Sequence, residues 1–457
     1  MLRRGLVKVI ATLGPSSSNS SVIAQMVRAG ADAFRINMSH GDQSSWDFMV
    51  SAVVEAESMV EQSLGLIADL EGPRLRVGNT EPIRVQPGST ITFSYSGGDV
   101  VVPYREFFEI LSEGDVVLIG DGKVSLVTEL VEGLTAKLKV IQGDLIEPRK
   151  GIVVSGKEPE FPLLTTKDKM CLEYIAKKPF SHVMVSYTRN PEQIELIKSI
   201  LRDYGRGDMK VLAKIETPSG VRRVKEIAQE ADGIVVARGD LGMHYNLEDI
   251  PMIQRDIVRV VRAQYKPVIL ATEFLSSMIE KPIPSRSEII DIYEAVRLSV
   301  DALLLTGETA VGKHPIKAVQ WMNRVIVKAQ QGLSVERPLA TTQMYRLARG
   351  LVELVENLNA TLVVYSKTGR FAERIASFRP TKPYYVGIPN EKVARAVRLL
   401  WASEPIVVGD TSYEEGLMRT SMLLEDKGIL GPGDIVVEAA WSSERNVYIV
   451  RIRNIVV

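Results

Sequence analysis

Residues 211–242 contain Val211-Leu-Ala-Lys214-Ile-Glu216 and then, after a helix-period segment, Ile234-Val-Val-Ala-Arg238-Gly239-Asp240-Leu-Gly242. Each half is an apolar run of strand length that ends in charged residues. A lysine and two carboxylates gathered at neighbouring strand ends need compensation on burial. A divalent cation and an anionic substrate would supply it. Two hard carboxylates suit Mg²⁺, which takes one or two protein carboxylates and fills its shell with substrate oxygens and water. The lysine suits a phosphoryl group. A surface salt-bridge cluster would use the same residues, so the surrounding chain has to decide.

Working outward, eight short apolar runs look like parallel strands: 8–13, 33–37, 65–70, 182–187, 211–215, 233–237, 267–271 and 301–305. Helix-period segments follow many of them, at 20–29, 191–204, 220–230, 253–264 and 289–299. Doubly buried strands alternating with helices predict a parallel α/β sheet. Eight units fit a closed (β/α)₈ TIM barrel. An open doubly wound sheet competes, but no GxGxxG follows the first strand.

The alternation stops between Pro73 and about Ser155, where Val, Thr, Ile and Gly dominate and turns fall at 86–88, 96–98 and 120–122. This predicts an all-β domain inserted after the third barrel strand, at the rim where barrel enzymes keep their active sites. A lid is its natural role. A new alternation begins after Ser334, with a helix at 341–357 and strands at 361–365, 383–387, 405–408, 434–437 and 446–452. It predicts a C-terminal open α/β domain. The expected divisions are 1–72 and 156–334 for the barrel, 73–155 for the lid and 335–457 for the last domain.

Composition narrows the class. The 457 residues suffice for about three domains of roughly 150 residues. Formal net charge is zero, which argues against a basic nucleic-acid surface and offers no electrostatic reason for membrane attachment. The one cysteine, Cys171, cannot form an internal disulfide and reads as a helix core residue. No apolar run approaches the roughly 20 residues of a membrane span. Met-Leu-Arg-Arg at the start lacks the apolar stretch of a signal peptide. A cytoplasmic location is expected.

The predicted strand ends carry Thr12; Arg35, Asn37, Ser39 and His40; Asp69; Lys214 and Glu216; Arg238 and Asp240; Thr272 and Glu273; Thr306 and Glu308. Catalytic groups of such barrels come from the C-terminal ends of several strands. Arg238-Gly239-Asp240 can also present backbone N–H groups to a carboxylate or phosphate.

These segments resemble pyruvate kinase. Thr12-Leu-Gly-Pro-Ser-Ser17, Arg35-Ile-Asn-Met-Ser-His-Gly41, Asp69-Leu-Glu-Gly-Pro-Arg-Leu-Arg76, Ala213-Lys-Ile-Glu-Thr217, Val236-Ala-Arg-Gly-Asp-Leu-Gly242, Leu270-Ala-Thr272 and Thr306-Gly-Glu-Thr-Ala310 stand in family order. Each alone is a weak signal; together, with a lid in the family position, they are specific. The resemblance implies transfer of the phosphoryl group of phosphoenolpyruvate to ADP, giving ATP and pyruvate in the last step of glycolysis. It implies Mg²⁺ (or Mn²⁺) on Glu216 and Asp240, and Lys214 and Arg35 on the phosphoryl group. Substrate carboxylate would meet the amides of Gly239 and Asp240, and Thr272 would face the enolate. Asn37, His40, Arg76 and Lys150 match nucleotide contacts, and Glu308 would support the ring from behind. Arg238 would pair with a carboxylate across a subunit interface.

Many relatives hold K⁺ on residues matching Asn37, Ser39, Asp69 and the carbonyl of Leu70. K⁺-dependent members carry glutamate where this chain has Arg74. A guanidinium is a permanent cation, so K⁺ independence is expected. Glu71 stands where lysine is usual, and Val153 where asparagine is usual. The turn Ser366-Lys367-Thr368-Gly369-Arg370 resembles a sugar-phosphate effector loop, with Lys367 and Phe371 in place of common serines; a strand-to-helix turn with an N-cap accounts for it equally. The family suggests a homotetramer. Two rival readings are a lyase-type barrel that binds the same substrate with Mg²⁺, and a catalytically dead metabolite sensor.

Overall fold

The structure, a computed structural model, describes residues 5–120, 122–442 and 447–456. Three sequence readings touch other residues: the charged start at Met1–Arg4, Asp121 in the turn at 120–122, and Asn446 at the head of the last strand.

The eight apolar runs close into one parallel barrel. Its strands are Lys8–Thr12, Ala33–Asn37, Gly65–Asp69, His182–Val185, Lys210–Ile215, Gly233–Ala237, Val268–Ala271 and Ala302–Leu305, each paired with its neighbours in sequence order and the eighth with the first. The open-sheet alternative is thereby excluded. Closure follows from burial on both faces. Ile10, Ile67, Met184, Leu212, Val235, Ile269 and Leu304 point inward to a compact core, while alternate residues pack under the surrounding helices. Register sets the site: Thr12 lies beside Arg35, Asn37 beside Asp69, and Lys214 beside Val235.

Helices begin where the sequence offers caps. Asn19 accepts from Ser21 and Val22 at the start of Ser20–Ala29, and Asn190 accepts from Gln193 at the start of Pro191–Asp203. The segment expected as one helix at 220–230 is two, Pro218–Arg222 and Val224–Glu230. Thr217 and Pro218 start the first helix two residues early, and the chain turns at Arg223. Cys171 is buried in the helix Thr166–Ala176. Burial pushes its thiol pKa up to about 11, which leaves little thiolate for chemistry.

The inserted segment forms a six-stranded sheet with its own core around Phe93, Phe107, Phe108 and Leu126. It includes one short helix, Arg105–Ile110. The C-terminal sheet has five strands; four are parallel, with helices between them, and Val447–Asn454 closes one edge antiparallel. Among the described residues no helix is long and apolar enough to cross a membrane.

His182 opens the fourth barrel strand, fully buried, with Nδ1 2.9 Å from Ser181 Oγ. Burial, aided by Lys210, lowers its pKa to about 3. The unfolded chain, near 6.5, therefore binds more protons between these values, and stability falls as pH drops through that window. The full effect is on the order of 5 kcal/mol. His182→Gln is expected to flatten the acid limb of the urea-unfolding midpoint plotted against pH below 6.5. An unchanged limb would mean that His182 is already protonated in the fold.

Candidate active site

The polar strand ends meet in a cavity of about 150 Å³ at the C-terminal mouth of the barrel. Lys214 is its centre. Its ammonium donates to Ser186 Oγ at 2.9 Å and lies 3.3 Å from Glu216 Oε2 and 3.6 Å from Asp69 Oδ2. Burial opposes the charge, but Asp69, Glu216 and Asp240 outweigh it and hold the lysine pKa above its ordinary value. Lys214 is a fixed cation at neutral pH.

Arg35 is locked from two sides. Its Nε and Nη2 reach Asp69 Oδ2 at 2.7 and 2.6 Å, and Nη1 donates to Thr12 Oγ1 at 3.0 Å. Thr12 in turn donates to the carbonyl of Leu305. Burial would raise the Asp69 carboxyl, but Lys214 and Arg35 keep it below the usual range.

Glu216 sits at the end of the fifth strand, 1% exposed. Its Oε1 accepts the Tyr187 N–H at 2.5 Å, while Oε2 accepts no hydrogen bond. Burial raises its pKa, against the pull of Lys214. Its Oε2 has the Lys214 ammonium 3.3 Å away and otherwise lines the cavity, a position for a cation. Asp240 opens onto the same cavity, with Arg74 Nη2 3.7 Å from its Oδ1. Two carboxylates facing open space form an oxygen donor set for Mg²⁺, so these residues fit the ion. Among the described residues no group of three or more His, Cys, Asp or Glu side chains is placed to hold a metal ion.

Thr272 has φ +74°, and Glu273 has φ +60°. A β-branched residue in the left-handed region is strained. Here the strain is held by two contacts: Thr272 Oγ1 accepts the Gly239 N–H at 2.9 Å, and its carbonyl accepts from Arg238 at 2.6 Å. Such backbone outliers persist where surroundings over-determine them, often at functional sites. Within the chain, Arg238 Nη1 pairs with Asp291 at 2.8 Å. Glu308 accepts from Leu275 N and Thr306 N, tying the last two strand ends together.

The residues of the monovalent-cation motif are close together, and several of their oxygens already accept. Asn37 Oδ1 takes the Ser39 N–H and hydroxyl, at 3.2 and 2.6 Å, and the Leu70 carbonyl takes Ser186 Oγ at 2.7 Å. Glu71 bonds Arg76 at 2.6 Å and Lys167 at 2.8 Å, across the hinge into the lid. Arg76 lines the cavity; His40 and Lys150 do not. His40 is exposed on the loop after the second strand, and Lys150 pairs with Glu147 in the lid at 2.9 Å. Gly239 touches the site through Thr272. The turn 366–370 lies in the C-terminal domain, away from this cavity; Ser366 Oγ accepts from Phe371 N.

Sequence reasoning passed over Ser186 and Tyr187. Both are distant in sequence from the groups they position. Tyr187 has φ +54°, the bend that aims its amide at Glu216.

The barrel-domain profile of pyruvate kinase matches residues 4–319, and the alpha/beta-domain profile matches residues 346–447. Over 455 residues the chain is 53% identical to the pyruvate kinase of Aeropyrum pernix, covering 99% of each. It is 36% identical over 429 residues to that of Pyrobaculum aerophilum, covering 91% of each. The crystal structure of the Pyrobaculum aerophilum pyruvate kinase superposes with TM-score 0.89 at 35% identity, covering 98% of this chain and 99% of that one. A pyruvate kinase structure from Cryptosporidium parvum gives TM-score 0.91 at 27% identity, covering 99% and 96%. With two domain profiles in order and near-complete coverage by relatives, this chain belongs to the pyruvate kinase family of phosphotransferases.

Proposed function

We propose that the enzyme transfers the phosphoryl group of phosphoenolpyruvate to ADP, giving ATP and pyruvate. The observation that carries this is the fixed Lys214 cation between Asp69 and Glu216, in one pocket with Arg35, Asp240 and Thr272. Glu216 and Asp240 hold Mg²⁺ or Mn²⁺. When bound, the ion neutralises charge on the substrate's carboxylate and phosphoryl oxygens. Lys214 and Arg35 grip the phosphoryl group from the protein side and stabilise its charge as it moves to ADP, since phosphoryl transfer is catalysed chiefly by positioning and electrostatics. The amides of Gly239 and Asp240 receive the substrate carboxylate; the Gly239 N–H then exchanges Thr272 Oγ1 for it. The freed Thr272 hydroxyl faces the enolate carbon, which takes its proton from that hydroxyl as water replaces it, or from water held there. Asn37, His40, Arg76 and Lys150 take the nucleotide when the lid closes. The reading is tested by requiring pyruvate release to depend on ADP and a divalent cation together; release without ADP would point to a phosphatase or lyase.

K⁺ independence is part of the proposal. Oxygens that would bind K⁺ already accept hydrogen bonds from Ser39 and Ser186, Asp69 is paired with Arg35, and Arg74 brings a positive charge to Asp240. Wild-type activity is expected to be equal in Na⁺ and K⁺ at constant ionic strength. Arg74→Glu is expected to lose at least tenfold in Na⁺ and recover in K⁺. Recovery in neither salt would end the charge-substitution idea.

By family resemblance we also propose a homotetramer in the cytoplasm, with domain divisions near residues 72, 155 and 334. The turn 366–370 is proposed to take a sugar-phosphate effector.

A further inference from the structure

A second cavity, about 380 Å³, lies at the opposite end of the barrel, between the N-terminal ends of its strands and the C-terminal domain. Its volume suits a small metabolite. Its charges do not balance. Each carboxylate lining it already has a cation: Asp208 pairs with Arg206 at 3.2 Å and Lys392 at 2.9 Å, Asp232 with Lys198 at 3.2 Å, Asp301 with Arg379 at 2.6 Å, and Glu373 with Lys210.

That leaves a surplus of positive charge. Lys266 donates only to backbone carbonyls, those of Ala231 and Gln229. Arg202, Arg370 and Arg374 line the cavity, and their guanidinium groups form no hydrogen bond or ion pair among the described residues. Arg370 and Arg374 are four apart on the helix Arg370–Ser377 and so share a face, an arrangement of like charges that weakens a helix. Arg202 approaches from the last turn of the helix Pro191–Asp203. Guanidinium groups that line one cavity from two domains without a counter-ion are a donor set for a phosphate, whose oxygens accept bidentate bonds. Two aromatic residues also line it: the rings of Tyr265 and Tyr345 stack with centroids 3.8 Å apart.

We propose that this cavity binds a small phosphate ester, with its phosphate on Arg202, Arg370 and Arg374 and its organic part against the Tyr265–Tyr345 pair. The site is distinct from the catalytic pocket and shares with the turn at 366–370 only Arg370, the one residue of that turn that lines the cavity. Lys367 engages Asp410 and the Tyr413 ring and does not line the cavity. Bound ligand bridges the barrel and the C-terminal domain, because Arg202 belongs to one and Arg370 and Arg374 to the other.

The test is calorimetric titration of the full-length enzyme with inorganic phosphate and with phenyl phosphate, without divalent cations and at constant ionic strength. The double variant Arg370→Gln/Arg374→Gln is expected to weaken phenyl phosphate at least tenfold, and Arg202→Gln alone severalfold. Lys367→Ala and Lys214→Met are expected to leave this binding in place. Phenyl phosphate is expected to bind more tightly than inorganic phosphate; equal affinities would overturn the organic half of the assignment. Binding that survives the double variant but disappears in Lys214→Met belongs to the catalytic pocket and would overturn the site, as would no binding at millimolar concentration.

Discussion

Replacing Lys214 by methionine is expected to lower kcat by about 10³-fold or more while the KM for ADP changes little. Removal of one preorganised donor to a developing charge costs roughly 3–4 kcal/mol, a factor of 10² to 10³. Lys214 is a full, largely buried charge, so its loss lies at the upper end or beyond. Methionine fills similar volume, and Asp69 keeps its pair with Arg35, so the barrel should remain folded. The measurement is steady-state turnover beside circular dichroism and a thermal melt. A folded variant with kcat within tenfold of the parent would remove Lys214 from the proposed mechanism.

Glu216→Gln is expected to cost a similar amount, with a different signature. The substitution keeps the shape and the acceptor for the Tyr187 amide but removes the charge from the metal seat. Metal polarisation of a phosphoryl oxygen contributes several kcal/mol. Turnover should fall by about 10² to 10³, since each 1.4 kcal/mol is a factor of ten. The Mg²⁺ concentration for half-activation should rise at least tenfold, with Asp240 left as the single carboxylate. Lys214→Met, by contrast, should leave the Mg²⁺ dependence nearly in place. A Glu216→Gln enzyme with unchanged Mg²⁺ dependence would mean that the ion sits elsewhere.

The sequence made the barrel legible because its strands are doubly buried. Runs such as Gly233–Ala237 and Ala302–Leu305 are apolar on both faces and stop where polar residues begin. Strand ends were harder. The run expected to reach Tyr187 ends at Val185, because Ser186 and Tyr187 leave the sheet to serve Lys214 and Glu216. Nothing local marks that departure; its cause is a carboxylate 29 residues later. The last parallel strand of the C-terminal sheet, expected at 434–437, runs to Ser442, since antiparallel pairing with Val447–Asn454 continues it.

Site chemistry followed the same division. Lys214, Glu216, Asp240, Arg35 and Thr272 were readable as residues because strand ends converge in any closed barrel. Their state was not readable. The strained Thr272 backbone, the Glu216 oxygen without a hydrogen bond and the Arg74–Asp240 approach exist only in three dimensions. Lys150 shows the converse: its motif position suggested the site, yet here it pairs with Glu147 in the lid, so its contact with nucleotide depends on lid closure.

The most direct test follows phosphorus itself. Phosphoenolpyruvate, ADP and Mg²⁺ are mixed with the enzyme in sodium buffer, and ³¹P NMR records where the label goes. The account predicts that the phosphoenolpyruvate resonance is replaced by the β- and γ-phosphorus signals of ATP, with pyruvate formed one for one, and that Lys214→Met leaves the spectrum unchanged over the same time. Inorganic phosphate in place of ATP, or equal transfer by the Lys214→Met enzyme, would contradict it.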